Sequence, residues 1–255
     1  VRHELIGGTK LGKVSKTALF LAEIPANAKK ALLARNTDLK VVDRFPLLDG
    51  FNGTPNSNES YLLLSRYDGD LKEGIVELVD LTNFKVLHTW NPDIDKFNKS
   101  FKNTKEFKYL NRDVNNSRSL LGHPYLLKDG ALLFTYNSPL RKIDSCSKLV
   151  FQNTKDIFHH SIEKDIEGNI WISNHIYPQS LPIEKVGRDV KEEGGFRDDG
   201  IVKLSVYGEI LFEKSVAQIF IDNGLEYLLF SQDKYGPDPL HLNDIQPVDF
   251  DGEFW

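Results

Sequence analysis

Short strand-like segments separated by turns run through most of this chain, and they constrain its fold more than any other feature. From Val41 onward, runs of apolar and β-branched residues are bounded by glycine, asparagine and aspartate, which is the pattern of an all-β domain. Two segments align closely with each other, GIVELVDLTNFKVLHTW from Gly74 and GIVKLSVYGEILFEKS from Gly200. Each predicts a strand, a polar turn and a second strand. The sequence therefore predicts an all-β fold built from repeated hairpins.

Histidine stands at the beginning of further predicted hairpins. His123 opens the segment HPYLLKDGALLFTYN, and His160 opens the segment HSIEKDIEGNIWISN. A glycine turn follows in each, at Gly130 and Gly168. A third segment, LHLNDIQPVDFDGEFW, contains His241 near its start. If the hairpins are arranged around an axis, their equivalent ends converge, which predicts a cluster of imidazoles.

Joined together, the hairpins give units of four short strands, which is the pattern of β-propeller blades. The chain holds about three to four such units, whereas propellers have about four to eight blades, so the fold is predicted to be a partial β-propeller. Residues 1–40 are predicted to be an N-terminal leader, either extended or with a short helix over Ala26–Ala34. Residues 41–255 are predicted to form the incomplete propeller domain.

Composition restricts the partners of the chain. The formal charge is -5 and Cys146 is the single cysteine among 255 residues, which excludes an intrachain disulfide and a cluster of thiolate ligands. No basic stripe with interleaved aromatic residues favours a nucleic-acid partner. No apolar run reaches the ~18 residues of a membrane-spanning helix. The absence of methionine and the ending DGEFW indicate a fragment, so a targeting segment would lie upstream of Val1.

Three less regular stretches interrupt the strand pattern. Asn91–Ser119 and Tyr177–Asp199 are polar and weakly periodic, and both are predicted to be loops. Ile219–Pro239 contains GLEYLLF and is predicted to include a short helix.

The segments HHSIEKDIEGNIWISN, DDGIVKLSVYGEILFEKS and DPLHLNDIQPV together resemble the arylsulfotransferase family of bacterial sulfotransferases. The resemblance covers about Ser60 to the C-terminus and is strongest from His159. It implies a six-bladed propeller with a channel site of several histidines and an arginine. It also implies transfer of a sulfuryl group from an aryl sulfate to a phenol through a sulfurylated histidine, with no cofactor and no metal. The implied location is periplasmic or membrane-attached.

By this resemblance, His160 and His241 are the catalytic candidates. The family's histidine, acidic or polar residue and apolar residue, followed by a Gly-Asn turn, match His160-Ser161-Ile162 and Gly168-Asn169, with Ser161 in place of the usual aspartate. The family's second pattern matches the segment HLNDI from His241. The family's arginine and nucleophilic histidine align beyond Trp255, so the chain is expected to be inactive alone.

Sulfuryl transfer, like phosphoryl transfer, places negative charge on equatorial oxygens, and positioned N–H donors stabilise that charge. Histidine can supply such a donor and can also exchange a proton near neutral pH. His160 and His241 are therefore expected to contact the sulfuryl oxygens or the phenol oxygen. His123, His159 and Asn243 are further candidates for contacting the substrate.

Strand alternation separates two neighbouring histidines. Adjacent side chains of a strand point to opposite sides, so His160 is expected to face the channel and His159 to pack or hydrogen-bond at the strand edge. Asn174 and His175 are expected at the opposite end of the hairpin from His160, in a structural role.

Two other interpretations stay open. In one, the propeller is a non-catalytic module that binds a ligand or a protein. In the other, a metal ion is held by His123, His160 and His241, although no close-spaced pair of ligands exists in the sequence. A cysteine nucleophile is disfavoured because Cys146 has no basic partner nearby in sequence.

Overall fold

The structure, a computed structural model, describes residues 50–100, 107, 110, 114–136, 138–180, 197–229 and 240–248, with four isolated positions before residue 50. The chain divides into two compact units, Val1–Leu39 and Lys40–Trp255. In the first unit, Thr17, Leu21, Ile24 and Pro25 are described and are helical. The helix predicted over residues 26–34 lies outside the described residues.

The described part of the second unit is mostly β-sheet. No helix among the described residues is long and apolar enough to cross a bilayer. In chain order the elements are β1 (Tyr61–Asp68), β2 (Glu73–Asp80), β3 (Lys85–Trp90), α1 (Ile94–Asn98), β4 (Tyr125–Leu126), β5 (Leu132–Phe134), β6 (Ser138–Ile143), β7 (Leu149–Lys164), β8 (Ile170–His175), β9 (Asp199–Leu204), β10 (Ile210–Ser215), α2 (Val216–Asp222) and a 3₁₀ helix (Glu226–Leu229).

The strands form two antiparallel sheets. One has the order β1-β2-β3, and the other is seven-stranded with the order β10-β9-β8-β7-β6-β5-β4. The long strand β7 pairs with β6 through its first half and with β8 through its second half. It is therefore shared by two four-stranded groups, β4 to β7 and β7 to β10. The all-β prediction is confirmed, but the described strands form open sheets that close into neither a barrel nor a propeller, so the number of blades stays a prediction.

The predicted hairpins are present. The repeated segments from Gly74 and Gly200 form β2-β3 and β9-β10, and the two segments that begin with histidine form β4-β5 and β7-β8. Gly130 and Gly168 lie in the turns of the latter pair with φ of 79° and 86°. Glycine adopts this left-handed conformation without the steric cost that a Cβ atom brings, which is why glycine marks these turns.

Consecutive strand groups pack against each other through two apolar clusters. The first joins the three-stranded sheet to the β5-β6 region and includes Val76, Trp90, Leu132, Phe134 and Ile143. The second joins the two four-stranded groups and includes Leu133, Leu140, Phe158, Ile172, Val202 and Leu204. Burying each such side chain contributes about 1.5 to 3 kcal/mol. This packing holds the beginnings of successive groups on the same side of the molecule.

The loop prediction for Asn91–Ser119 is wrong in part. This stretch contains α1, whose N-cap residue Asp93 accepts a hydrogen bond from the backbone N–H of Lys96, and it contributes Ile94, Phe97, Phe107, Leu110 and Val114 to the first apolar cluster. Its buried residues are spaced irregularly among asparagines and lysines, which hides the helical period. The helix predicted within Ile219–Pro239 corresponds to the end of α2 and the 3₁₀ helix, while residues 230–239 and 181–196 lie outside the described residues.

Gly74 on β2 provides a test of the packing between the first sheet and the segment that precedes β4. A Cβ atom on Gly74 would lie 2.1 Å from the backbone oxygen of Ser119. Because a backbone oxygen has no rotamer by which to move away, we expect Gly74→Ala to lower the free energy of unfolding by about 2 to 3 kcal/mol. Gly69→Ala is the matched control, since nothing lies within 4 Å of its Cβ position. Equal denaturant midpoints for the two variants would contradict this packing.

Candidate active site

The structure brings three histidines that are distant in sequence into one cluster, His123, His160 and His241. The ring centroids of His123 and His160 are 5.7 Å apart, and those of His160 and His241 are 5.8 Å apart. Both pairs are edge-to-face, with interplanar angles of 71° and 64°. His160 is half-buried at the centre, whereas His123 and His241 are exposed. The cluster is therefore open to a ligand from solvent.

All three cluster histidines share an uncommon backbone conformation. Their φ angles are 46°, 62° and 48° for His123, His160 and His241, in a region that non-glycine residues rarely occupy. Such strain persists where the surroundings fix it and is concentrated at functional sites. At His123 the strain lies just before β4, and at His160 it lies where β7 passes from pairing with β6 to pairing with β8.

Neighbouring backbone groups hold each of these conformations in place. Gly122, before His123, accepts a hydrogen bond of 3.3 Å from the backbone N–H of Thr135, and Ser161, after His160, donates its backbone N–H to the oxygen of Asn243 at 3.3 Å. Leu242, after His241, donates its backbone N–H to Oδ2 of Asp199 at 2.8 Å. The cluster is thus fixed by contacts between separate segments of the chain.

Ser161 and Asp244 form a second link between β7 and the segment 240–248. The hydroxyl of Ser161 donates to Oδ1 of Asp244, and this hydrogen bond lowers the pKa of Asp244. The carboxylate that the family pattern places at position 161 is thereby replaced by a serine bonded to a carboxylate from position 244. Ser161 departs from the family pattern, and its partner Asp244 could not be identified from the sequence alone.

The electrostatic surroundings favour the neutral form of His160. Burial lowers its pKa, and the neighbouring imidazoles of the cluster and of His159 lower it further. A neutral imidazole carries one N–H donor and one acceptor nitrogen. His160 is therefore suited to donate a hydrogen bond to an anion or to accept a proton near neutral pH.

His159 and Asn243 occupy supporting places beside the cluster. His159 is 3% exposed, its ring centroid lies 5.0 Å from that of His160, and its Nδ1 lies 3.3 Å from Oγ of Ser173. The alternation of strand sides is interrupted here, because the pairing register shifts between His159 and Ile162. Asn243 is exposed and contributes its backbone oxygen to the bond with Ser161.

The prediction that His175 lies at the far end of the hairpin is wrong. In the antiparallel pairing of β7 with β8, Ile157 faces His175 and His159 faces Ser173, so the end of β8 lies beside the beginning of the β7 half that carries His160. The rings of His159 and His175 stack with centroids 4.2 Å apart. Counting back along an antiparallel hairpin from its glycine turn would have placed His175 here.

Asp199, at the start of β9, is the acidic residue of the site that sequence reasoning missed. Its Oδ1 accepts a hydrogen bond of 3.0 Å from Nδ1 of His175 and lies 3.5 Å from Nε2 of His159. Burial alone raises the pKa of Asp199, but these histidine contacts and the N–H of Leu242 outweigh it and hold the pKa below its ordinary value. Asp199 is therefore an ionised carboxylate inside the protein.

His159, His175 and Asp199 are also the group with metal-ligand composition among the described residues, since one ligand atom from each lies within 4.8 Å of the others. The two rings are stacked with an interplanar angle of 27°. An ion close to both nitrogens would lie out of the plane of at least one ring, away from its lone pair. The geometry fits hydrogen bonds to a shared carboxylate better than a metal centre. His123, His160 and His241 do not form such a group.

A cleft of about 740 Å³ lies at the turn end of the hairpins, away from the histidines. It is lined by Tyr125–Asp129 and Lys164–Gly168 among others, and Lys142 in its wall lies 3.8 Å from Asp129. Asp165 and Glu167 in its lining are paired with Lys203, so the cleft lacks the convergent donors of the histidine cluster.

These features define a β-sheet protein whose repeated strand groups present histidines at a common end. The chain belongs to the arylsulfotransferase (ASST) family, since residues 123–254 match the family's profile. The matched region includes all three cluster histidines together with Asp199.

Two further comparisons add little to this assignment. No curated protein sequence gives a significant match. The crystal structure of a protein of unknown function from Bacteroides caccae is similar to this chain at 10% identity and a TM-score of 0.37, over 65% of this chain and 50% of that one. This chain thus spans about half the length of that protein, and a TM-score this low does not establish a shared fold.

Proposed function

We propose that the chain carries the histidine cluster of an arylsulfotransferase, which transfers a sulfuryl group from an aryl sulfate to a phenol. The observation that carries the proposal is the convergence of His123, His160 and His241, with ring centroids 5.7 and 5.8 Å apart and all three backbones left-handed. Membership of the arylsulfotransferase family supports the reaction class.

The proposed reaction has two steps. In the first, a nitrogen of a nucleophilic histidine attacks the sulfur of the aryl sulfate, the N–S bond forms and the S–O bond to the ring breaks, and the leaving phenol oxygen takes a proton. In the second, the oxygen of the acceptor phenol loses its proton and attacks the same sulfur, and the N–S bond breaks. Two successive in-line displacements balance all atoms and protons without an oxidant, a nucleotide or a metal.

The cluster residues have complementary parts in this scheme. His160, neutral through burial and neighbouring imidazoles, exchanges the proton with the phenol oxygen or donates its N–H to a sulfuryl oxygen. His241, exposed and with its ring centroid 5.8 Å from that of His160, donates to a second sulfuryl oxygen. His123 and Asn243 line the space that the substrate enters. His159 packs against the ring of His160 from the protein interior.

A β-propeller is the architecture that we propose for the whole domain. Two observations support it: β7 is shared between two four-stranded groups, and successive groups pack face to face through apolar clusters. In such an arrangement the first strand of each blade borders the central channel, which is where the histidines stand in the chain.

Because the family's nucleophilic histidine aligns beyond Trp255, the test is an assay of the intact full-length protein, and not of this chain alone, with 4-nitrophenyl sulfate as donor and phenol as acceptor. We expect release of 4-nitrophenol that depends on the acceptor, together with formation of phenyl sulfate detected by mass spectrometry. Release without an acceptor, with inorganic sulfate as product, would indicate a hydrolase instead. Binding of the donor without turnover would favour the non-catalytic module.

A further inference from the structure

Asp199 contacts residues next to two members of the histidine cluster, His159 beside His160 and Leu242 beside His241. It is fully buried, at 0% exposure. One oxygen faces His175 and His159, and the other accepts the backbone N–H of Leu242. A single carboxylate thus joins β7, β8 and β9 to the segment that carries His241.

The charge of Asp199 has no lysine or arginine partner among the described residues. A buried carboxylate needs hydrogen-bond donors to offset its lost hydration. Here the hydrogen-bond donors are the imidazole of His175 and the backbone N–H of Leu242, and Nε2 of His159 lies 3.5 Å away. Because a carboxylate only accepts hydrogen bonds, Nδ1 of His175 must carry the proton in its bond of 3.0 Å.

The contacts of Asp199 also constrain His160 and His241, through the residues next to them. His159, whose Nε2 is buried and makes no closer polar contact among the described residues, precedes His160 and packs against its ring. Leu242 follows His241 directly. Loss of the carboxylate would therefore leave Nε2 of His159 without its polar neighbour and would release the backbone beside His241.

We propose that Asp199 is the positioning residue of this site: it fixes the ring of His159 behind His160 and the backbone beside His241, so that His160 and His241 face the same ligand. The proposal rests on the proposed function for its catalytic consequence, but the geometric claim can be tested separately. Asp199 acts through its neighbours and does not touch the substrate.

The test compares Asp199→Asn and Asp199→Ala with Asp198→Asn. Asp198 is the adjacent residue and is equally buried, at 1% exposure, but its carboxylate accepts from the hydroxyls of Ser180 and Ser215 instead of from imidazoles. Two quantities are measured on each variant of the intact protein: the ring ¹⁵N signals of the histidines by NMR, and kcat and KM for sulfuryl transfer.

We expect Asp199→Ala to move the ring signals of His159 and His175 and to lower kcat about tenfold to a hundredfold, because a displaced catalytic group costs rate even when binding persists. Asp199→Asn, which can still accept from Leu242, should recover part of kcat. Asp198→Asn should leave the ring signals in place. Unchanged ring signals in Asp199→Ala, or wild-type kcat, would overturn the proposal.

A measurement on the unsubstituted protein tests the proposal even where a variant fails to fold. The ring ¹⁵N signals of His175 should show a proton on Nδ1, and an Nδ1 without a proton would overturn the proposal. A shift of these signals on adding Zn²⁺ would also overturn it, in favour of a metal site. If the intact protein transfers no sulfuryl group at all, the proposed function fails, while the NMR comparison still decides whether Asp199 holds the rings.

Discussion

Replacement of His160 by alanine is expected to slow sulfuryl transfer by the intact protein about 10²-fold to 10³-fold, and replacement of His241 is expected to do the same. Removing one preorganised donor to a developing negative charge typically costs about 3 to 4 kcal/mol of transition-state stabilisation. The rings lie 5.8 Å apart between centroids, so both can reach oxygens of a single sulfuryl group. The measurement is kcat/KM with 4-nitrophenyl sulfate and phenol.

The double variant adds information on whether the two histidines act together. Residues that serve one transition state give effects that do not add, so we expect the double variant to lose less than the product of the two single losses. Additive losses would indicate that His160 and His241 serve separate steps.

His88→Ala is the control for the loss of an imidazole outside the cluster. His88 lies on β3, where its Nε2 is 2.8 Å from the backbone oxygen of Ser145 and its ring meets that of Trp90. We expect its kcat/KM to stay within a few-fold of wild type. Activities of His160→Ala and His241→Ala that match this control would contradict the assignment of the cluster.

The parts of the fold that sequence predicts best are those set by local pattern. Alternating apolar residues and polar or glycine turns predicted the hairpins β2-β3, β7-β8 and β9-β10, because side-chain alternation and turn chemistry depend on residues close in sequence. The ends of these hairpins also predicted that the histidines would gather. The prediction that the histidines converge depended only on their position at the start of each hairpin, and the loops between the hairpins did not enter it.

What sequence did not predict depends on pairing between segments. Asp199 enters the site because β9 pairs with β8 in a particular register, and that register is not visible in either strand alone. The left-handed backbone of His160 follows from the register shift beside it and the bond from Ser161 to Asn243. The helix α1 was missed because its apolar residues complete a core built mainly from distant strands.

The acidic pair of Asp156 and Glu213 leads to the second large expectation, a fall in stability as pH rises. Asp156 on β7 is 2% exposed, and burial, together with the nearby charge of Glu213, raises its pKa from the ordinary 3.8 to about 7. Glu213 on β10 accepts hydrogen bonds of 2.8 Å from both Lys155 and Asn174. The neutral form of Asp156 is thus favoured in the folded protein.

The sign of the effect follows from this raised pKa. Below about pH 4 the carboxyl is protonated in both the folded and the unfolded chain, so it has no effect on their difference. Between about pH 4 and 7 the unfolded chain releases the proton and the folded chain keeps it, which progressively favours unfolding. The full difference corresponds to a ceiling of roughly 4 kcal/mol, and we expect about half of it, since the lysine and amide beside Asp156 can reorient.

Asp156→Asn should remove this dependence, because the amide keeps the shape of the side chain and cannot ionise. Relative to wild type, we expect the free energy of unfolding to rise by about 2 kcal/mol at pH 8 and to change little at pH 4, measured by urea denaturation at both pH values. The comparison with wild type cancels other carboxylates, such as Asp165, whose pKa is lowered and whose contribution has the opposite sign.

Two companion variants make the comparison specific to the buried pair. Glu213→Gln removes a neighbouring negative charge that raises the pKa of Asp156, so the loss of stability in this variant should end at a lower pH and be smaller than in wild type. Asp70→Asn changes an exposed carboxylate of the β1-β2 turn and should leave the dependence intact. If Asp156→Asn lost stability from pH 4 to 8 as steeply as wild type, the proton would have to be held elsewhere, and the pair of Asp156 and Glu213 would be ionised throughout that range.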